Sequence, residues 1–179
     1  MKRFSPILLL VFIMVACKPP VDPEVEAMKK AKEAFEKNSE TVMTYLEGYQ
    51  NENLDYESLF SEDYVMLVTR FGAMDTLNLE AVMNGDKGSW KMFDYELLAD
   101  PVQLLPGVNA DTKMMDGSVR YYGNWKITKP ATDSTEARSS VVRLYESFDF
   151  DENGTVNLYD LSQFAEIWLN VSPYTALQF

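Results

Sequence analysis

The apolar positions of this chain follow a helical period in its first half and a strand period in its second, and the change falls near Phe93. From Asp22 to about Gln50, Val25, Met28, Phe35, Val42, Leu46 and Tyr49 recur at three, four and seven residues, which predicts one long helix or two in succession. Asp22 is placed to cap it, with Pro23 in the first turn and Glu24 and Glu26 at the positive end of the helix dipole. Ser39 and Glu40 before Thr41 mark a point for a break and a second cap. Asn53 to Phe60 reads as a turn and a short helix, with Leu59 and Phe60 packing back, and Tyr64 to Val68 as a strand. Asn78 opens a further helix carrying Leu79, Val82 and Met83, which Gly85 and Gly88 interrupt before Trp90 and Phe93.

Beyond Phe93 the alternation is by two. Tyr95 to Leu98 and Val102 to Leu105 are strand candidates on either side of Pro101, and a proline inside such a run points to an edge or a bulge. The clearest strand is Val119 to Thr128, where Val119, Tyr121, Trp125 and Ile127 share a face. The polar run from Lys129 to Glu136 is a loop. Val142, Leu144, Phe148 and Phe150 alternate as a strand, and although Val141, Leu144, Tyr145 and Phe148 also fit a helix, the β-branched and aromatic content favours the strand.

The stretch DFDENGTVNLYD, residues 149 to 160, supports two incompatible structures. As a calcium loop it presents Asp149, Asp151, Asn153 and Asp160 near the oxygen spacing of an EF-hand, with a glycine at Gly154. As a hairpin it is the turn Asp151-Glu152-Asn153-Gly154 between two strands. The preceding segment suits a strand, Asp160 is one methylene shorter than the glutamate such loops end on, and no second loop of the kind is present. The hairpin is the leading expectation, with the calcium site as the alternative.

Composition narrows the chemistry. With no histidine, imidazole bases and His-containing zinc sites are excluded, and the one cysteine is Cys17. Catalysis would have to rest on Asp, Glu, Tyr, Lys, Arg or Ser, and no cofactor is implied. MKRFSPILLLVFIMVAC has the form of a signal peptide over residues 1–16, too short to span a bilayer, ending in Met14-Val15-Ala16-Cys17. That ending resembles a bacterial lipobox, in which Cys17 is lipidated; an ordinary secretory signal with an incidental cysteine is the plainer alternative. Residues 17–23, with Pro19, Pro20 and Pro23, would be a stiff tether to the membrane, and residues 24–179 a single domain. Removing the signal takes away Lys2 and Arg3 and no acid, leaving 14 bases against 28 acids. Such a balance excludes nucleic acid as a natural partner and places the anchoring on acyl chains in the bacterial cell envelope, periplasmic or at the outer-membrane surface.

The order of elements, the run LDYESLFSEDYVMLV at Leu54 to Val68, the Gly123-Asn124-Trp125 strand and the closing FDFDENGTVNLYD hairpin resemble the SnoaL-like branch of the nuclear transport factor 2-like superfamily, most clearly over residues 40–165. The resemblance implies an α+β cone: a strongly curved antiparallel sheet wrapped around a long helix, with a pocket inside. It also implies a homodimer through the sheet, and a range of activities from isomerases, cyclases and hydratases to domains that only bind, so fold alone leaves function open.

Counting by two supplies candidate groups. If Val142, Leu144, Phe148 and Phe150 face inward, so does Glu146; if Val156 and Leu158 face inward, so does Asp160. Burial would raise such carboxyls into a range useful for general acid–base work, whereas a one-residue slip would return them to solvent. Trp90, Tyr122, Trp125 and Tyr145 are candidates to line a ligand site, against the plainer alternative that they are core. The expectation is an envelope lipoprotein whose cone binds a small apolar ligand or a protein partner without catalysis. The second expectation is a pocket enzyme with Asp160 or Glu146 as base, and the third a calcium module.

Overall fold

The computed structural model describes residues 22–70 and 73–160. The signal segment, Cys17 and everything after Asp160 lie outside the described residues. Asp22 caps the first helix, accepting the backbone N–H of Glu24 at 3.0 Å, and α1 (Pro23–Gln50) then runs as one helix. No break occurs near Thr41 because the local hydroxyls turn back onto the helix: Ser39 donates to the Phe35 carbonyl at 2.7 Å and Thr44 to that of Glu40 at 2.9 Å. There follow α2 (Tyr56–Leu59), β1 (Phe60–Arg70), β2 (Ala73–Asn78), α3 (Leu79–Trp90), β3 (Asp94–Val108), β4 (Met115–Lys129), β5 (Arg138–Phe150) and β6 (Val156–Asp160).

Three of these differ from the sequence expectation. β2 has no clear alternation and was not anticipated. Gly85 and Gly88 do not interrupt α3, since one helix spans both, and a β-carbon at either would meet no atom within 4 Å. β3 joins the two strand candidates into one through Pro101, and the expected irregularity is there as a register shift against β4 between Leu98 and Gln103. It is an edge strand, so the missing proline N–H costs the sheet little.

Among the described residues the strands form one curved, unclosed sheet in the order β2-β1-β6-β5-β4-β3, antiparallel except between β1 and β6. α1 lies across β4 and β3 and is held at two levels. Asn38 Nδ2 donates to the Gly117 carbonyl at 2.9 Å, and Gln50 Oε1 accepts the Leu97 N–H at 2.6 Å. Between them Val42 and Leu46 are wholly buried against a sheet face carrying Val119, Tyr121, Trp125, Val142, Leu144, Phe148 and Val156. Burial of this order, roughly 2 kcal/mol per large side chain, is what fixes the helix in the cone. The first two turns of α1 stand clear of the sheet: Val25 and Met28 belong to the apolar stripe in sequence but not to the core in space.

The stretch 149–160 forms a hairpin. The Asp151 carboxylate accepts the backbone N–H groups of Asn153 at 2.9 Å and Thr155 at 3.0 Å, and the Thr155 hydroxyl at 2.8 Å. These bonds, Thr155 first, hold its carboxyl below the usual range. Gly154 closes the turn at φ +83°, where a side chain would be strained. Asp149 points away from the turn to Arg120, 3.0 Å distant. The segment before the loop is β5, so the helix–loop–helix frame of an EF-hand is not what these residues build.

Candidate functional site

Alternation on β5 decides which residues face the helix. Val142, Leu144, Glu146 and Phe148 are buried in turn, while Val141, Arg143 and Tyr145 face the other way. On β4, Val119, Tyr121, Gly123 and Trp125 form the matching inner row, with Glu146 paired to Tyr121 and Val142 to Trp125. A β-carbon on Gly123 would overlap the Tyr121 phenol, which lies along its own strand, so glycine is what lets that tyrosine fold flat inside the cone.

Above this row the interior is lined by aromatic rings from every layer. α1 supplies Tyr45 and Tyr49 one turn apart, α2 supplies Tyr56, β1 supplies Phe60 and Tyr64, α3 supplies Trp90, and β3 supplies Tyr95. The Tyr49 ring is the hub, with centroids 5.1 Å from Tyr95, 5.5 Å from Trp90 and 5.9 Å from Trp125, all edge-on. A second group joins Tyr45 to Phe60 at 5.9 Å and Phe60 to Tyr64 at 4.7 Å. Edge-to-face contacts of this kind each add about 1 kcal/mol beyond the area they bury.

Two carboxyl groups act on these rings. Glu146 is 4% exposed on the inner face of β5, and its charge raises the phenols of Tyr45, Tyr64 and Tyr121. Asp86 projects from α3, where its carboxylate accepts the Tyr56 hydroxyl at 2.8 Å. Desolvation pushes its carboxyl from an ordinary 3.8 to about 6, against the opposing effect of that hydrogen bond. Its charge in turn raises Tyr45, Tyr49, Tyr56, Tyr64 and Tyr95. Burial is nevertheless the largest cause of the shift in each of these phenols.

Tyr45, Tyr49, Asp86, Trp90 and Tyr95 are strongly desolvated or ring-packed yet keep part of their surface accessible. These partly covered groups come from α1, α3 and β3 and adjoin the buried Trp125 of β4. Among them the Trp90 indole N–H is buried with no acceptor among the described residues, and the Ser89 and Tyr95 hydroxyls are hydrogen-bonded to each other.

The residues proposed from sequence are distributed unequally. Trp90, Trp125 and Glu146 share the interior. Tyr122 and Tyr145 do not: they pair across β4 and β5 on the opposite face, centroids 4.7 Å apart, because Tyr121 and Glu146 beside them take the inward positions. The backbone of Asp160 pairs with Ser147, after a register shift in β6 that follows Val156. The side chain of Asp160 lies outside the described residues. Asp86 was missed, although its signal was present. Leu79, Met83, Asp86 and Trp90 fall at spacings of four, three and four, so one stripe of α3 carries an acid among apolar residues.

A long helix packed on a curved, unclosed sheet has the cone fold of SnoaL-like and nuclear transport factor 2-like proteins. Solved structures share it. A candidate polyketide cyclase from Xanthomonas campestris superposes with a TM-score of 0.55, covering 75% of this chain and 98% of its own at 13% identity. One from Pseudomonas putida gives 0.51, covering 73% and 96% at 17% identity. A candidate SnoaL-like polyketide cyclase from Shewanella putrefaciens gives 0.50, covering 75% and 86% at 12% identity. At such identities the likeness defines the fold and leaves the chemistry to this chain's own residues. No family model and no curated protein matches the sequence.

Proposed function

We propose that this protein is a binding protein of the bacterial envelope, held to a membrane through a lipid on Cys17, that takes a small, largely apolar ligand at the aromatic cluster around Tyr49. The observation that carries this reading is that cluster, where rings from α1, α3, β3 and β4 meet edge to face inside the cone while Tyr49, Trp90 and Tyr95 keep part of their surface accessible. Ligand sites are mostly apolar and aromatic, with a few placed polar groups, and Asp86, Tyr56, Ser89 and the Trp90 N–H supply those here. The anchor rests on the sequence around Cys17. The test is a fluorescence titration with the neutral probe N-phenyl-1-naphthylamine. Saturable probe enhancement, weakened by Trp90→Glu, is expected; a linear, non-saturating response would overturn the reading.

A second reading, an enzyme moving a proton at an activated carbon, is favoured by the two interior carboxyl groups, Glu146 and the near-neutral Asp86. Asp160 remains in that proposal as a further candidate base. Base-catalysed ring opening of 5-nitrobenzisoxazole, which reports any positioned carboxylate base, discriminates between the two. Turnover abolished by Glu146→Gln or Asp86→Asn supports the enzyme, and a rate no faster than acetate supports the binder.

A further inference from the structure

We propose that the second half of α3, from Gly85 to Trp90, is a flap that swings off the aromatic cluster while the rest of the fold stays in place, and that a ligand reaches the cluster by this route. The proposal deepens the binding reading above and rests on it for the ligand, though not for the movement. The rings touch one another: Tyr49 meets Trp90, Tyr95 and Trp125 edge-on at 5.1 to 5.9 Å between centroids, so a ligand comes among them only where a ring gives way. Tyr49, Tyr95 and Trp125 are fixed. Tyr49 stands on α1 between the wholly buried Leu46 and Gln50, which accepts the Leu97 N–H, and Tyr95 and Trp125 are carried by β3 and β4 where those strands are paired. Trp90 is placed differently, because α3 has no buried residue along its length.

The helix is fastened unevenly. Its first turns are held by the Asn78 cap, which accepts the Ala81 N–H at 2.9 Å, and by Leu79, Val82 and Met83 packed against the core. Gly85 and then Gly88 follow, each with open space where a β-carbon would stand, and beyond Trp90 the chain passes through exposed Lys91 and Met92 to β3. Glycines lower the cost of bending or unwinding a helix, and hinges form at such points and at the ends of elements. Between these points the flap is tied by the hydrogen bond from Tyr56 to Asp86 at 2.8 Å, by the Ser89 and Tyr95 hydroxyl pair, and by the edge of Trp90 on Tyr49. Two costs of the closed arrangement fall on the same segment. The Trp90 indole N–H is buried with no acceptor among the described residues, and Asp86 is desolvated with a neutral hydroxyl as its hydrogen-bond partner. Opening returns both groups to water, so this segment gains polar solvation by moving.

The test is native-state hydrogen exchange of the purified full-length protein, read by mass spectrometry in buffer and in about 1 M urea. A local opening exposes little surface and is nearly indifferent to dilute urea, whereas global unfolding is not. The amides of Lys87 to Trp90 are expected to change rate by less than about twofold, and those of Val42 to Leu46 on α1 to accelerate about tenfold. Parallel acceleration of the two segments overturns the flap. Gly85→Ala combined with Gly88→Ala stiffens the hinge, and neither new methyl meets another atom within 4 Å. This variant is expected to slow the flap's exchange, and the stopped-flow association of N-phenyl-1-naphthylamine, each by about tenfold. Association that stays unchanged while exchange slows overturns the flap as the ligand's route. A probe that never saturates overturns the binding reading instead, and the exchange measurement then still decides whether the flap moves.

Discussion

Replacing Asp86 by asparagine should stabilise the protein at neutral pH, an unusual outcome for a buried hydrogen-bonded residue. The carboxyl titrates near 3.8 in an ordinary environment and at about 6 in the folded protein. The folded state therefore holds the proton more tightly than the unfolded chain does. In the window from about 3.8 to 6 the unfolded chain releases it first, so stability falls as pH rises through that window and stays lowered above it. The shift corresponds to at most ~3 kcal/mol, and ~1–3 kcal/mol is the reasonable range because Asp86 keeps some access to solvent. Asparagine retains the acceptor for Tyr56 and carries no charge, so Asp86→Asn should gain about that much at pH 7 and almost nothing near pH 4. Urea unfolding of both proteins at a series of pH values measures the difference directly, and acid effects common to the two cancel. A pH-independent offset, or a variant less stable at neutral pH, would refute the claim that Asp86 is held charged at a cost. Tyr56→Phe is the converse control, because losing the hydroxyl removes the interaction that lowers the Asp86 pKa and should destabilise more at pH 7 than near pH 4.

Four further outcomes are expected. Gly85→Ala, on α3 with open space around the new methyl, should stabilise by about 0.5–1 kcal/mol in the same unfolding assay. Gly123→Ala should destabilise by about 1–3 kcal/mol, since the Tyr121 phenol occupies that space; an unchanged melting temperature would mean the ring is free to leave. Cys17→Ser should abolish labelling by a fatty-acid analogue and the processing that globomycin blocks, and persistence of either would sink the anchor. If the outer sheet face carrying Tyr122 and Val141 pairs two copies, Tyr122→Asp with Val141→Asp should halve the mass seen by light scattering, an idea that a monomeric parent protein would end at once.

What could be read from the sequence was what obeys a local period. The alternation on β4 and β5 gave the inner rows through Val119, Tyr121 and Trp125, and through Val142 to Phe148, including the inward turn of Glu146. Caps at Asp22 and Asn78 were equally legible, because a cap needs only its own three or four residues. Failures came where a neighbour decides. Tyr122 and Tyr145 look like pocket aromatics until the phase of Tyr121 and Glu146 is known, and a one-position difference sends them to the other face. In β6 the backbone register shifts after Val156, which pairs with Phe150 while Leu158 pairs with Asp149, an irregularity that a count by two does not anticipate. Gly85 and Gly88 look like helix breakers, yet a glycine inside a helix costs only about 1 kcal/mol, which the packing of Leu79, Val82, Met83 and Trp90 outweighs.

The placement of the two interior carboxyls argues for different roles. Glu146 belongs to the floor: it is central in the sheet, paired across to Tyr121, and flanked on its own strand by Leu144 and Phe148. Asp86 belongs to the wall. It is carried by α3, has the Tyr56 hydroxyl as its partner, and keeps a share of solvent access that Glu146 lacks. An uncharged acceptor there would still take the Tyr56 hydroxyl and would avoid the desolvation cost. Under the binding reading proposed above, Asp86 is therefore the interior acid better placed to meet a ligand, because it keeps the solvent access that Glu146 lacks.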